Sequence, residues 1–363
     1  MKKTLKNAKG ITLVALVITI IILLILATIS IQSLTNTGLF KNAEKAREET
    51  NKAIENQEKR LNEYEDELNK YVSGTTQTQK LADKVKVGDY VTYTPDALDS
   101  NAVSTLKANL NTYSGKSDST VNAAIDRENL KWRVLDIQNG QVRLISETPT
   151  TSKIELKGYN GYNNAVKLID DACSTLYTNS KLANKVQNLK TEDITKYMKT
   201  QPTEDTTPYS PSTKYYPEIL LKEKEQTVNE KAGTELDLSE QKEFINQTTK
   251  PQVNSWTLKK TYWKQSMNNT DSFTDSKYYE LFINNGSNYS TYWMSSRCVF
   301  ADSGSADFYV RLVNSGVVRA YDLCYSFGSE GSGTCAFRPC ITLNSNVQVT
   351  SGSGSSESPF NIQ

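Results

Sequence analysis

Apolar residues are concentrated at the start of the chain, ahead of a longer region where they alternate with polar ones. Ile11 to Ile31 is a run of 21 residues without a charge. A helix of that length rises about 30 Å, enough to cross a hydrocarbon core. Four lysines precede the run, and such charges stay on the cytoplasmic side of a membrane. The pattern predicts a hydrophobic transmembrane helix over residues 11–33, with the bulk of the chain outside the cell.

The chain between Phe40 and Tyr71 has a different pattern, in which charged residues surround a thin apolar stripe. Apolar residues recur there at three- and four-residue steps, and Glu48 with Lys52 forms one of several favourable i,i+4 pairs. The pattern predicts an amphipathic helical stalk over residues 34–72, followed by a linker over residues 73–84. We favour a helix that packs one face on its own globular domain over a coiled-coil stalk.

Beyond the linker, short strands and turns predict a globular head over residues 85–348. Apolar and polar residues alternate from Lys84 to Thr94, and again on both sides of Asn139-Gly140, a dipeptide typical of tight hairpins. A helical pattern covers Gly158 to Lys190, and a second hairpin is expected at Asn314 to Gly316. Residues 349–363 are a Ser/Gly-rich tail.

Composition excludes several classes of function. The 363 residues include 42 basic and 41 acidic ones, a balance that gives no general drive toward nucleic acid. The absence of histidine excludes Ser-His-Asp and Cys-His catalysis and every His-ligated metal site. The five cysteines contain no CxxC pair, which supports neither a zinc site nor a dense disulfide scaffold. We therefore expect no catalytic residue, no metal and no cofactor, and a protein that is not an enzyme.

Three interpretations of the N-terminal segment compete. A secretory signal peptide has a shorter apolar core, and a plain membrane anchor leaves Gly10 unexplained. The stretch KGITLVALVITIIILLILATISI resembles the type IV pilin N-terminus, from which a prepilin peptidase removes a short basic leader. The resemblance implies a leader over residues 1–10, cleavage between Gly10 and Ile11, and methylation of Ile11. The chain departs from the family at Ala15, where most members carry a Glu; minor pilins and pseudopilins commonly share this departure.

The last hundred residues carry a second resemblance. A Tyr-Trp-x-x-Ser segment, a Val-Arg strand, a Ser-Gly turn and an Arg-Pro before an apolar strand are similar to C-type-lectin-like domains of the formylglycine-generating-enzyme type. The matching residues are Tyr292, Trp293, Ser296, Val310, Arg311, Ser315, Gly316, Arg338 and Pro339. The likeness is clearest over residues 292–347. The EPN, QPD and WND motifs of calcium-dependent sugar-binding members do not occur in the sequence.

The segment from Ser295 to Cys340 has an unusual composition. Its 46 residues include no Lys, Gln, Met, Trp or Ile and only one Glu, Glu330. Mutation of adenines in Asn codons produces such a set, and diversity-generating retroelements mutate adenines in C-type-lectin-like variable proteins. A Ser/Gly-rich hairpin region that lacks Lys and Glu by chance is the competing interpretation. The residues proposed to contact a ligand are Arg297, Phe300, Asp302, Tyr309, Arg319, Tyr321, Asp322, Tyr325 and Phe327.

Together the patterns and resemblances predict an α+β protein, with a long N-terminal helix followed by a C-type-lectin-like mixed α/β head. Its expected function is ligand binding, in adhesion or recognition, by a surface-exposed pilin-like subunit. The expected partners are other pilin subunits, a prepilin peptidase and a protein or surface ligand, and the expected location is the cell membrane, then the extracellular surface or a pilus filament. The alternatives are a structural minor pseudopilin of a secretion or DNA-uptake system and, less favoured, a surface enzyme.

Overall fold

The computed structural model describes residues 49–50, 53, 57, 60, 79–202, 208–209, 215–226, 239–252, 258–267, 270–283 and 291–363. The chain divides into two compact units, Met1–Thr75 and Thr76–Gln363. In the first unit, the described residues are helical and exposed; they are Glu49, Thr50, Ala53, Gln57 and Arg60. The second unit, called the C-terminal unit below, contains the sheets.

Strands and short helices follow one another along the C-terminal unit. The strands are β1 (Gln79–Lys80), β2 (Tyr90–Thr92), β3 (Trp132–Gln138), β4 (Gln141–Ser146), β5 (Lys153–Lys157), β6 (Ala183–Asn188), β7 (Pro208–Tyr209), β8 (Leu258–Lys259), β9 (Gln265–Ser266), β10 (Thr291–Ala301), β11 (Ala306–Asn314), β12 (Val317–Tyr325), β13 (Ser332–Ala336), β14 (Pro339–Leu343), β15 (Gln348–Ser351) and β16 (Phe360–Ile362). The helices are α1 (Leu81–Lys84), α2 (Ser100–Tyr113), α3 (Thr120–Ala123), α4 (Gly158–Tyr177), α5 (Thr191–Thr195), α6 (Glu218–Gln226) and α7 (Ser276–Phe282), with one 3₁₀ turn at Thr270–Ser272.

The strands form two large mixed sheets. The eight-stranded sheet has the order β1-β15-β16-β2-β3-β4-β14-β6, and the six-stranded sheet has the order β5-β13-β10-β11-β12-β9. Most neighbours are antiparallel, but β16 with β2 and β10 with β13 are parallel. Strand β16 is therefore an inner strand that joins β15 to β2, although it lies near the end of the chain. Strands β7 and β8 form a separate pair.

Both hairpins expected from the sequence are confirmed. Asn139 and Gly140 connect β3 to β4 with φ of 51° and 74°, and Ser315 and Gly316 connect β11 to β12 with φ of 49° and 80°. Two successive positive φ angles are the geometry of the turn whose twist matches paired strands. The turn residues therefore fix the register of both hairpins.

Helix α4 packs against both sheets and organises the main core. Its buried face includes Leu168, Ile169, Ala172 and Leu176 at helical spacing, and these residues join the core that the strands build. The helical pattern expected over Gly158 to Lys190 is correct only as far as Tyr177. The chain then returns as β6, because pairing with β14 supplies the backbone hydrogen bonds that a longer helix would have made internally.

Residues of the Tyr-Trp and Arg-Pro motifs are buried links between elements. The Trp293 indole Nε1 donates to the Ile154 carbonyl at 2.9 Å, which joins β10 to β5. The Arg338 guanidinium donates to the carbonyls of Ser146 and Glu147 and lies 5.2 Å from the Tyr292 ring. Trp293 therefore ties two strands of the six-stranded sheet together, whereas Arg338 connects β4 of the eight-stranded sheet to β10 of the six-stranded sheet.

Three expectations are corrected here. The α+β class with a long N-terminal helix is wrong, because the described chain is mainly β, in two mixed sheets with mostly short helices. Within the described residues, no helix has both the length and the apolar character needed to span a bilayer. The expected transmembrane pilin character and the location at the cell membrane, then at the surface or in a filament, are therefore not supported.

Several predictions about the N-terminal segment concern residues that the structure does not describe. The predicted leader over residues 1–10, with its cleavage site between Gly10 and Ile11, lies outside the described residues. So do the apolar segment over residues 11–33 and, apart from the five helical positions given above, the stalk over residues 34–72.

Candidate functional site

Strand β11 divides the six-stranded sheet into two faces of different character. Phe308, Val310 and Leu312 point into the main core. Asp307, Tyr309, Arg311 and Val313 point to the opposite side, because successive side chains of a strand alternate between faces. On the second face, the burial of the side chains changes along the strand.

The cover over this second face ends partway along β11. Val313 is buried in a second core together with Met267. Arg311 is also fully buried, with its guanidinium 4.3 Å from the Trp263 ring and donating to the carbonyls of Thr261 and Trp263. Tyr309 and Asp307, further along the strand, are only partly buried. The far end of the face is therefore only partly covered.

Aromatic rings line this open end. The Tyr262 ring lies 5.2 Å from the Tyr309 ring and 5.9 Å from the Phe300 ring, an edge-on contact in the second case. The Lys260 ammonium lies 4.5 Å from the Phe300 ring centroid. Rings at these spacings supply contact area with little side-chain entropy to lose on binding.

Two carboxylates lie among the rings. Tyr309 is paired across the strands with Asp322, and Asp307 is paired with Tyr325, so Asp307 and Asp322 are diagonal neighbours on one face. One oxygen of each carboxylate, Oδ1, is buried and has no hydrogen-bond partner among the residues that the structure describes. An ionised carboxylate placed in this way is solvated mainly through its outer oxygen.

The electrostatics of the face follow from this crowding. Burial raises the pKa of the Asp307 carboxyl, and the charge of Asp302 raises it further. Burial raises the pKa of Asp322 to about 7; a hydrogen bond with Tyr325 opposes the shift, and the charge of Asp307 adds to it. Burial, followed by the charges of Asp322 and Asp307, also raises the pKa of the Tyr309 phenol. Each of these shifts favours the neutral form of its group over the ionised form.

A stacked aromatic pair, partly buried Tyr325 and exposed Phe327, forms one edge of the site. The Tyr325 and Phe327 rings are stacked with centroids 5.1 Å apart, and Phe327 is 62% exposed, the largest value among the described large hydrophobic side chains. Phe327 lies in the turn between β12 and β13. We call this site the aromatic–acidic face and define it as Tyr262, Phe300, Asp307, Tyr309, Asp322, Tyr325 and Phe327.

The structure brings together five of the nine residues proposed from the sequence. They are Phe300, Tyr309, Asp322, Tyr325 and Phe327. Of the remaining four, Arg297 is fully buried, because its guanidinium donates to the Asn163 carbonyl at 2.6 Å and lies 5.8 Å from the Tyr162 ring. It holds β10 against α4 and does not reach the surface.

The other three proposed residues lie outside the face. The Asp302 carboxylate accepts hydrogen bonds from the backbone of Gly304 and Ser305, so it shapes the turn between β10 and β11. Arg319 and Tyr321 belong to the opposite side of β12, paired with Leu312 and Val310. The Tyr321 hydroxyl donates to the Ser332 carbonyl, and its ring contacts Trp293 edge-on.

Two members of the face were missed by sequence reasoning. Asp307 shares the alternation of Tyr309 along β11, so the strand pattern alone contains the signal that places it on the same side. Tyr262 lies in a segment that precedes β10 by about thirty residues, and only the folded chain brings it there. The segment is held by hydrogen bonds from the backbone of Thr261 and Tyr262 to the Val299 carbonyl.

Other places where a ligand could bind are less developed. Two shallow pockets of about 230 and 220 Å³ adjoin one another and share Tyr93, Thr94, Asn129, Leu130 and Trp132. Both fall below the range of roughly 300–1,000 Å³ usual for small-molecule sites. Among the residues that the structure describes, no group of three or more Cys, Asp or Glu side chains is arranged to hold a metal ion.

Comparison of the chain with protein-family models, with curated proteins and with solved structures found no match.

Proposed function

We propose that the C-terminal unit is a non-catalytic recognition module that binds a protein ligand through the aromatic–acidic face. One observation carries the proposal: the alternating outward residues of β11 change from buried Val313 and Arg311 to partly exposed Tyr309 and Asp307. The same elements thus provide a rigid, packed base and an open polar-aromatic surface. A surface of tyrosine, phenylalanine and aspartate on rigid strands has the composition of a protein-binding site.

A protein ligand fits this surface better than a small molecule. The face is an extended strip across β10, β11 and β12, and the stacked rings of Tyr325 and exposed Phe327 lie at its edge. Large aromatic side chains in such positions are the residues that most often dominate the energy of protein interfaces. The hydroxyl groups of Tyr262, Tyr309 and Tyr325 add hydrogen-bonding groups beside the rings.

Panning of a phage-displayed random dodecapeptide library against the immobilised full chain tests the proposal. We expect enriched peptides that bind the wild-type chain and lose about tenfold or more in affinity with Tyr309→Ala or Phe327→Ala. Ile137→Ala is the matched control, because Ile137 is also exposed, at 42%, but lies on β3 of the other sheet. Enriched peptides that bind the two face variants as tightly as the wild type would overturn the proposal.

A further inference from the structure

We infer that the ligand presents a cationic side chain, the ammonium of a lysine or the guanidinium of an arginine, to Asp307 and Asp322. This inference rests on the proposed function and names the chemistry of its ligand. Its first support is the pair of carboxylates whose Oδ1 atoms lack hydrogen-bond partners. A buried acceptor that has lost water without gaining a donor weakens the ionised state, and a positive charge at the outer oxygens restores it.

A neutral donor would satisfy one oxygen but would leave the two negative charges to repel each other. Asp307 and Asp322 are close enough that the charge of Asp307 raises the pKa of Asp322. Only a positively charged group relieves the repulsion and favours ionisation of both acids at once. A guanidinium also matches the paired geometry of carboxylates through its planar fork of donors.

The rings beside the carboxylates favour the same ligand. The faces of tyrosine and phenylalanine attract cations within about 6 Å of the ring centroid. The protein already uses this contact twice along the same strip, with Arg311 over Trp263 at 4.3 Å and Lys260 over Phe300 at 4.5 Å. The Tyr309 ring lies beside the acidic pair, and the Tyr262 ring lies 5.2 Å from the Tyr309 ring. A cation that reaches the acids would meet these rings too.

The charged groups around Asp307 and Asp322 do not balance the negative charge of the two carboxylates. Among the residues that the structure describes, the Lys260 charge acts on Asp302, in the β10–β11 turn, and no cation contributes to the pKa shifts of Asp307 and Asp322. The remaining neighbours are the phenols of Tyr309 and Tyr325. A metal ion is a poor alternative, because no metal-binding group of three acidic or thiol side chains occurs within the described part of the chain.

Saturation-transfer difference NMR with the full chain tests the inference. The probes are three acetylated, amidated pentapeptides, Gly-Gly-X-Gly-Gly, in which X is Arg, Lys or Gln. We expect signals on the side-chain methylenes of the Arg and Lys peptides at least threefold stronger than those of the Gln peptide. In the double variant Asp307→Asn and Asp322→Asn, which keeps the shape of both side chains, the cationic peptides should fall to the level of the Gln peptide.

Asp83→Asn is the matched control, because it removes an exposed carboxylate from α1, outside the face. It should leave all three signals unchanged. Equal signals from the Gln and Arg peptides, or cationic signals that persist in the double variant, would overturn the inference. Dodecapeptides that bind the face but are free of Lys and Arg would overturn it too, and would leave the proposed function standing.

Discussion

Asp307 and Asp322 lie diagonally across β11 and β12, and the charge of the first adds to burial in raising the pKa of the second to about 7. The folded chain thus holds a proton on Asp322 that the unfolded chain releases near pH 4. The contribution of Asp322 to the free energy of unfolding is fully present below pH 4 and is lost as the pH rises through about 7. The open face therefore costs the protein stability at neutral pH.

Asp322→Asn should remove this cost. Because the carboxyl is partly exposed and screened by solvent, we expect the variant to be more stable than the wild type by about 1 kcal/mol at pH 8. The difference should disappear near pH 4.5, where the wild-type carboxyl is protonated. Urea unfolding at both pH values measures it, with Asp83→Asn as control. A gain of equal size at both pH values would contradict the assigned pKa.

Binding of the Arg pentapeptide should strengthen with pH. Asp322 is mostly protonated at pH 6 and mostly ionised at pH 8, so the affinity should rise roughly tenfold between these values if a cation binds the ionised form. The groups that face this carboxyl are Asp307, Tyr309 and Tyr325, with Asp302 behind Asp307. NMR titration in buffers of constant ionic strength measures the change. Affinity that stays constant would show that Asp322 does not ionise on binding.

Gly115→Ala should destabilise the fold far more than Gly140→Ala. Both glycines have positive φ, of 76° and 74°. A Cβ at Gly115 would lie 1.9 Å from the Lys157 carbonyl oxygen, whereas at Gly140 nothing lies within 4 Å. We expect losses of about 4 kcal/mol and about 1 kcal/mol, because only the first adds a steric clash to backbone strain. Denaturant unfolding compares them, and equal losses would mean that the backbone at Gly115 relaxes freely.

Asp170 links α4 to both sheets. Its replacement by Ala or Asn should distinguish the contribution of its hydrogen bonds to stability from the contribution of its charge. Its Oδ1 accepts from the Ser295 hydroxyl at 2.7 Å and from the Asn188 backbone N–H at 2.9 Å. Asp170→Ala leaves both donors unpaired inside the fold and should cost about 2–4 kcal/mol. Asp170→Asn keeps an acceptor and should cost less than half as much at pH 8.

The pH dependence provides the check on Asp170. Burial raises the pKa of its carboxyl to about 6, against hydrogen bonds that lower it. The wild type should therefore lose stability as the pH rises from 4 through 6, and Asp170→Asn should show less of this loss. Parallel stability profiles for the two proteins would rule out Asp170 as the source.

The composition of residues 295–340 leads to a prediction about natural variation. If the segment is diversified, amplicon sequencing of its codons within one culture should find substitutions at Phe300, Tyr309, Asp322, Tyr325 and Phe327. Phe308, Val310 and Arg338 should stay fixed, because they are fully buried in the core. Substitutions spread equally over exposed and buried codons would contradict the placement of the binding face. A uniform segment would argue against diversification and would leave a face of constant sequence.

Local pattern was sufficient for the hairpins but not for the long-range contacts. The turns at Asn139-Gly140 and Ser315-Gly316 are determined by residues that tolerate positive φ, and the strands beside them follow from alternation. The end of α4 at Tyr177 was not predictable in this way. Apolar residues at Leu182 and Val186 suit a helix as well as a strand, and the choice is made by pairing with β14.

The candidate site likewise contains residues that the local pattern predicts and residues that only long-range contacts bring there. Tyr309 and Asp322 follow from the β11–β12 hairpin, so they could be placed together from the sequence. Tyr325 joins their face only because the register shifts between Phe308 and Tyr309, which no sequence pattern indicated. Arg297 was expected to contact a ligand because arginine is one of the residue types common in binding faces, but α4 offers it a carbonyl and an aromatic ring in the interior. Contacts with a helix more than 120 residues away leave no local trace in the sequence. The same applies to Tyr262.

The inner position of β16 has a consequence for how the protein is made. Residues 360–362 lie between β15 and β2, so the eight-stranded sheet cannot be completed until they have left the ribosome. Until then, β2 keeps an edge with unpaired backbone groups, the kind of edge that invites association with other chains. A stop codon in place of the Phe360 codon would leave every member of the aromatic–acidic face in the chain, but the sheet would stay open.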